Sequence, residues 1–192
     1  MVDYFSDILE LKKGTLKTTS DLLLRPSTLI RDYLYGKTLP YQNPFKFLLS
    51  LIGVSLFVQL FIAKSPGESL YVQAFNLSLV VLLAGAAWLV FRKEKYNFFE
   101  HLIVSGFAVA KITLLALLNQ IVYFLCLQIH LNIPYQKAIE LGIVAYAVLR
   151  LNTGAYQESQ WVLPKSVLIV LGSFLVNLLL TLVGDVVWKI WF

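Results

Sequence analysis

Apolar runs of bilayer-crossing length recur along this chain, and no other feature limits its fold so tightly. A spanning helix takes about 20 mostly apolar residues, with a range of roughly 17–25. Runs near that length cover residues 45–63, 71–91, 102–128, 135–151 and 167–187. Lys64–Gly67 closes the first and Arg92-Lys93-Glu94-Lys95 the second, while Lys111 lies inside the third and Glu140 inside the fourth. Composition agrees, with 58% apolar and 14% charged residues. Soluble domains carry roughly 25% charged residues, and a soluble fold of this make-up would expose large apolar patches. The expected class is an all-α integral membrane protein with five transmembrane helices (45–192), preceded by an amphipathic arm (1–44).

The basic residues set the orientation. Taken over residues 1–46 first, then loop by loop to the C-terminus, Lys and Arg number 7, 1, 3, 1, 2 and 1, with Lys111 apart in the third run. Cytoplasmic segments of membrane proteins collect Lys and Arg. Five spans with a cytoplasmic N-terminus put twelve inside and three outside; omitting 135–151 would move Arg150 and Lys165 outside and spoil the alternation. An inner-membrane, multi-pass placement with the C-terminus outside follows. The net charge of +5 therefore speaks for orientation, not for nucleic acid. Trp188, Trp191 and Phe192 would mark the outer boundary, and Trp88, Phe91, Tyr96, Phe98 and Phe99 the inner one. The first apolar run begins at Phe45, so no cleavable signal peptide is expected.

The arm is patterned as helix. Val2, Phe5, Ile8 and Leu9 recur at helical spacing, and Leu16, Leu22, Leu23 and Leu24 follow. After Pro26, Ser27 can cap a short helix on which Leu29, Ile30, Tyr33 and Leu34 share a face, with Arg31, Asp32 and Lys37 elsewhere. Gly36 suits the stop, and Pro40 and Pro44 impose extended turns. Two placements fit: a collar with leucines among acyl chains and basic residues on anionic headgroups, or a plug packed on the inner ends of the bundle.

These residues also carry a resemblance. Arg25-Pro26, Ile30-Arg31-Asp32-Tyr33-Leu34, Gly36-Lys37, Tyr41 and Asn43-Pro44-Phe45-Lys46-Phe47 resemble the hallmark of a bacterial family, common in Bacteroidota, of multi-span proteins of unknown function. Asn97-Phe98-Phe99-Glu100-His101 is similar to its second landmark, and Arg150-Leu151-Asn152 with Tyr156 to a degenerate third. Many members begin with a four-cysteine zinc ribbon. This chain has a single cysteine, Cys126, so that ribbon's metal role does not carry over. The layout is similar to the Yip1 superfamily of membrane-trafficking scaffolds in architecture alone, which does not supply function.

Four residues could carry chemistry. His101 titrates near neutrality and Glu100 could tune it, but helix neighbours point about 100° apart, so the pair suits capping better than mutual acid–base work. Lys111 and Glu140 are the charges that look most buried. A mid-membrane charge costs about 2.5–3.5 kcal/mol on insertion scales and usually finds a partner, so an intramembrane ion pair between them is expected. It would lock two spans or line a proton or solute path. Gln73, Asn76, Asn119, Gln120 and Asn177 could extend that polar seam. His130 reads as a loop histidine, and Asp185 with Lys189 as an i,i+4 pair.

Phosphate-loop, HExxH and GxSxG motifs are missing from the sequence. No cofactor or metal is expected. The leading reading is a non-enzymatic scaffold at the inner leaflet, touching lipid, a membrane-protein partner or a second copy. A small transporter built on Lys111 and Glu140, and a lipid-modifying enzyme using Glu100 and His101, are the rivals.

Overall fold

The computed structural model describes residues 14–62, 66–94, 96–128, 136–156 and 161–172. Within them, the side chains at 60–62, 66–76, 123, 126–128, 136–138, 140 and 141 are not described. Seven helices and no strand occur among the described residues. They are α1 (14–24), α2 (Pro26–Leu34), α3 (Pro44–Ile62), α4 (Pro66–Val90), α5 (Phe98–Gln128), α6 (Gln136–Ala155) and α7 (Val162–Gly172).

Helix α5 is the axis. Helices α3 and α4 pack along it and on each other, α6 covers another side, and α2 lies against α6 and the start of α5. Gly106 permits the approach of α3: a Cβ there would sit 3.3 Å from Pro44 Cβ and 3.6 Å from the Phe45 ring, and Val104, Phe107 and Ala108 around it are buried. One apolar core joins Leu22 and Leu29 of the arm to Phe47, Phe107 and Leu151 of the bundle.

Helix α4 illustrates the surface. Leu79, Leu83, Ala87 and Phe91 are buried at four-residue spacing, yet Leu77, Val81 and Leu89 between them are exposed. Over Leu77–Val90 it is apolar on all faces, a property of helices buried in a large core or in a membrane. Helix α5 is long and apolar enough over Phe98–Val122 to cross a membrane. Pro44–Gln59, Leu77–Val90 and Val162–Gly172 are shorter apolar stretches. Most of the fifth predicted run, together with His130, Asp185, Lys189, Trp188, Trp191 and Asn177, lies outside the described residues, as do the side chains of Gln73, Asn76 and Cys126.

One local reading changes and two gain detail. Helix α2 begins at Pro26, with Arg25 as its N-cap, so Ser27 is not the cap. The reason is proline's preference for the first helical position, where its missing N–H is no loss. Ser27 instead donates to the Arg150 carbonyl at 3.4 Å. Helix α5 begins at Phe98, ahead of the apolar run that starts at 102, because Asn97 and Glu100 form a capping box, which agrees with the capping role expected of Glu100. The arm's leucines divide: Leu22, Leu29 and Ile30 are fully buried against protein, while Leu16 and Leu24 are exposed. Packing on the bundle leaves those three no route to acyl chains. Gly36, at φ 85°, ends α2 as expected, in the left-handed region where glycine pays no Cβ penalty.

Candidate functional site

The motif in the arm resolves into caps and contacts. Pro26 and Pro44 each open a helix. Asn43 Oδ1 accepts from the backbone N–H groups of Phe45 (3.0 Å) and Lys46 (3.4 Å), which otherwise lack helical partners. Tyr33 meets Phe107 edge to face, with centroids 5.2 Å apart, and fixes α2 on α5. Lys37 pairs with Asp32 at 3.5 Å, and Tyr41 Oη donates to the same carboxylate at 3.4 Å. Burial, then the charges of Asp21 and Asp32, push the Tyr41 phenol up to about 12. Arg25, Arg31 and Lys37 are exposed.

Two contacts with weak sequence signals tie α1 down. Thr15 Oγ1 donates to Gln42 Oε1, and the Gln42 backbone N–H donates to Thr18 Oγ1, both at 2.8 Å. Ordinary threonines on a helix face do not announce partners more than twenty residues away.

The densest polar arrangement lies where α4 ends, α5 begins and α6 ends. Asn97 Oδ1 accepts from Glu100 N at 3.0 Å, and Asn97 N donates to Glu100 Oε2 at 2.7 Å. Glu100 also suits the positive end of the helix dipole. Its carboxylate is thus engaged as a cap. His101, one residue on, turns inward and is fully buried, with Nδ1 hydrogen-bonded to Tyr156 Oη. Tyr156 stacks on Phe91 with centroids 3.9 Å apart and planes 13° from parallel, and Tyr96 meets it edge-on at 5.6 Å. Burial holds the Tyr156 phenol above its ordinary value, with Tyr96, Glu100 and Glu94 reinforcing the shift, so it remains a protonated hydrogen-bonding group. Nε2 of His101 and Nδ2 of Asn152 are buried, with no hydrogen-bond partner among the described residues. Glu100 and His101 thus serve different partners, and their neighbourhood is an aromatic clamp across three helix ends.

Lys111 lies about 20 Å along α5 from Phe98, at 1.5 Å per residue. It is fully buried, its Nζ has no hydrogen-bond partner among the described residues, and it sits 4.7 Å from the centroid of the Tyr146 ring. The ring face offers the ammonium a cation–π contact. Nearby on α5, Thr113 Oγ1, Asn119 Nδ2 and Gln120 Oε1 are also buried, with no hydrogen-bond partner among the described residues. The side chain of Glu140 lies outside the described residues, so the expected Lys111–Glu140 pair does too. Among the described residues, no group of three His, Cys, Asp or Glu could hold a metal ion.

Outside the clamp, Lys165 of α7 pairs with Glu94 at 3.6 Å and lies 5.2 Å over the Phe91 ring. Arg92 lies 5.8 Å over Trp88. Arg92, Glu94 and Lys165, together with Lys93 and Trp161, border an open cavity of about 610 Å³.

Fold and site together define a class: a helical bundle built on one helix of membrane-crossing length, with a docked N-terminal arm and an aromatic clamp at the end where the arm sits. The family profile described as "Protein of unknown function (DUF3667)" matches residues 13–56, which comprise α1, α2 and most of α3. The match contains the arm motif from Arg25 to Phe47; the landmarks at Asn97–His101 and Arg150–Tyr156 lie beyond it. No curated protein and no solved structure matches the chain.

Proposed function

We propose that this chain is a five-span inner-membrane protein with a cytoplasmic N-terminus, acting as a non-enzymatic scaffold whose docked arm meets partners or anionic lipid at the inner leaflet. One observation carries the reading: among the described residues, all charged side chains but Lys111 gather at one end of the bundle. The starts of α3 and α5, the ends of α4 and α6 and the start of α7 bear Lys46, Arg92, Lys93, Glu94, Glu100, Arg150 and Lys165, and the arm adds Lys17, Arg25, Arg31 and Lys37. Helices α3, α4 and α5 beyond that end expose Leu49, Val54, Phe57, Val81, Leu118 and Val122, with Lys111 a buried charge among them. Water disfavours such a belt and a bilayer favours it. Twelve cations against three, as counted in the sequence, then orient the charged end inward.

The scaffold role follows from how the candidate residues are employed. Motif residues cap helices and seat the arm, Glu100 caps α5, and His101 is enclosed. What the arm offers outward is basic side chains with exposed Tyr35 and Leu39. That surface suits contact rather than turnover. A photo-crosslinking residue at Leu39 in the full-length protein, in its own membrane, should give discrete protein or lipid adducts that weaken when Arg31 and Lys37 become Glu. Absence of adducts, or adducts indifferent to those charges, would defeat the role.

A transporter reading keeps one specific support, the buried Lys111 ammonium, which has no hydrogen-bond partner among the described residues. Flux through reconstituted protein that is unchanged by Lys111→Met and Glu140→Gln would remove it.

A further inference from the structure

We propose that the cavity between the end of α4 and the start of α7 is a binding site for the headgroup of an anionic phospholipid. The site rests on the membrane placement above but not on the scaffold role.

Its lining is amphipathic. Arg92, Lys93 and Lys165 supply three cations against the single carboxylate of Glu94, while Leu89 and Trp161 supply apolar surface. Glu94 is engaged with Lys165 at 3.6 Å, which leaves the cationic excess at Arg92 and Lys93. Both are exposed, and the Trp88 ring 5.8 Å away favours an Arg92 position at the cavity edge. A guanidinium there can grip two phosphate oxygens, and the lysine adds a point charge. The cavity, at about 610 Å³, is of the size that holds small ligands.

Depth distinguishes a lipid from a free anion. Leu89 and Val90 belong to the apolar end of α4, and the next residues are Phe91 and Arg92, so the cavity straddles the boundary between belt and charge. Trp161 is 74% exposed beside it. An indole at that level is at home among headgroups, apolar on one side and wet on the other. A ligand with phosphate at its head and hydrocarbon below satisfies both halves; inorganic phosphate satisfies only the cationic half.

The test uses full-length protein in a neutral detergent, with lipid retention measured by native mass spectrometry. Phosphatidylglycerol and phosphatidylcholine are offered in equal amounts, with and without millimolar inorganic phosphate. Phosphatidylglycerol should be retained preferentially and should resist phosphate. Each cation removed should lower retention about fivefold, the worth of one basic side chain at an anionic surface, and Arg92→Gln with Lys93→Gln roughly thirtyfold. Circular dichroism should show both variants folded. Arm variants Lys17→Glu and Arg31→Glu should retain the lipid, separating this site from the arm. Equal retention of the two lipids, or retention unchanged in the double variant, would overturn the site. Displacement by phosphate would overturn its assignment to lipid. A protein that leaves the membrane fraction without detergent would instead strike the placement itself.

Discussion

Gly154→Ala should lift the arm off the bundle, because the space for a side chain there is filled by backbone. A Cβ on Gly154 of α6 would lie 2.4 Å from Ser27 Cα, 2.7 Å from its Cβ and 2.9 Å from its Oγ. The nearest atom belongs to the main chain of α2, so no rotamer change relieves the overlap. Overpacking of this kind costs about 1–3 kcal/mol. Losing the Ser27–Arg150 hydrogen bond adds about 1 kcal/mol. The docked arm would thus be weakened by about 2–4 kcal/mol, roughly thirtyfold or more in its docking equilibrium. Trypsin cleavage at Arg25 and Arg31 in sealed inverted membranes reads this directly, since proteolysis follows the population of the open form when closing is fast. Cleavage should accelerate at least tenfold, a conservative reading of that equilibrium. Gly142→Ala is the control: an added Cβ meets nothing within 4 Å there, and cleavage should not change. Unaltered cleavage in Gly154→Ala would refute the close approach of α2 to α6.

Other positions give sharper local tests. Tyr156→Phe removes the partner of His101 Nδ1 in a buried site and should destabilise by about 1–3 kcal/mol in denaturant titration of the solubilised protein; Phe91→Ala, which also empties the stack, should cost about 3–5 kcal/mol. Lys111→Met should leave thermal stability equal or higher, because well-packed apolar residues replace buried charges without loss; a fall in melting temperature would mean that the ammonium has a stabilising partner. The Tyr41 phenol titrates higher in the folded chain than in the unfolded one, so its contribution is complete below about pH 10 and is lost as pH rises toward about 12. Arm docking should weaken across that window, and Tyr41→Phe should flatten the part of the profile that belongs to this group.

Helix positions were legible wherever the apolar runs were long and their ends punctuated. The run beginning at Phe45 is helix α3 from Pro44, and Gly36 stops α2 through a backbone conformation that few other residues adopt. Glu100 was legible as a cap ahead of the apolar run at 102, and its partner Asn97, three residues before an acid, is itself a helix-start signal. Ser27 misled: a good cap residue beside a proline loses to proline's own place at the first turn. The clamp was the least visible part. His101 and Tyr156 were each singled out, but 55 residues separate them, and only the packing of α5 on α6 joins them. Periodicity reports which face of a helix is apolar; it does not report which helix will cover it. The same limit hid Tyr146 as the neighbour of Lys111.

The membrane placement is tested most directly by single-cysteine accessibility in a Cys126→Ser background. Thiols placed at Thr38 and Lys93 should react with an impermeant maleimide in inverted vesicles but not in intact cells, and one at Ser65 should show the opposite pattern. Labelling of all three from the same side, or release of the protein from membranes by alkaline carbonate, would contradict the account.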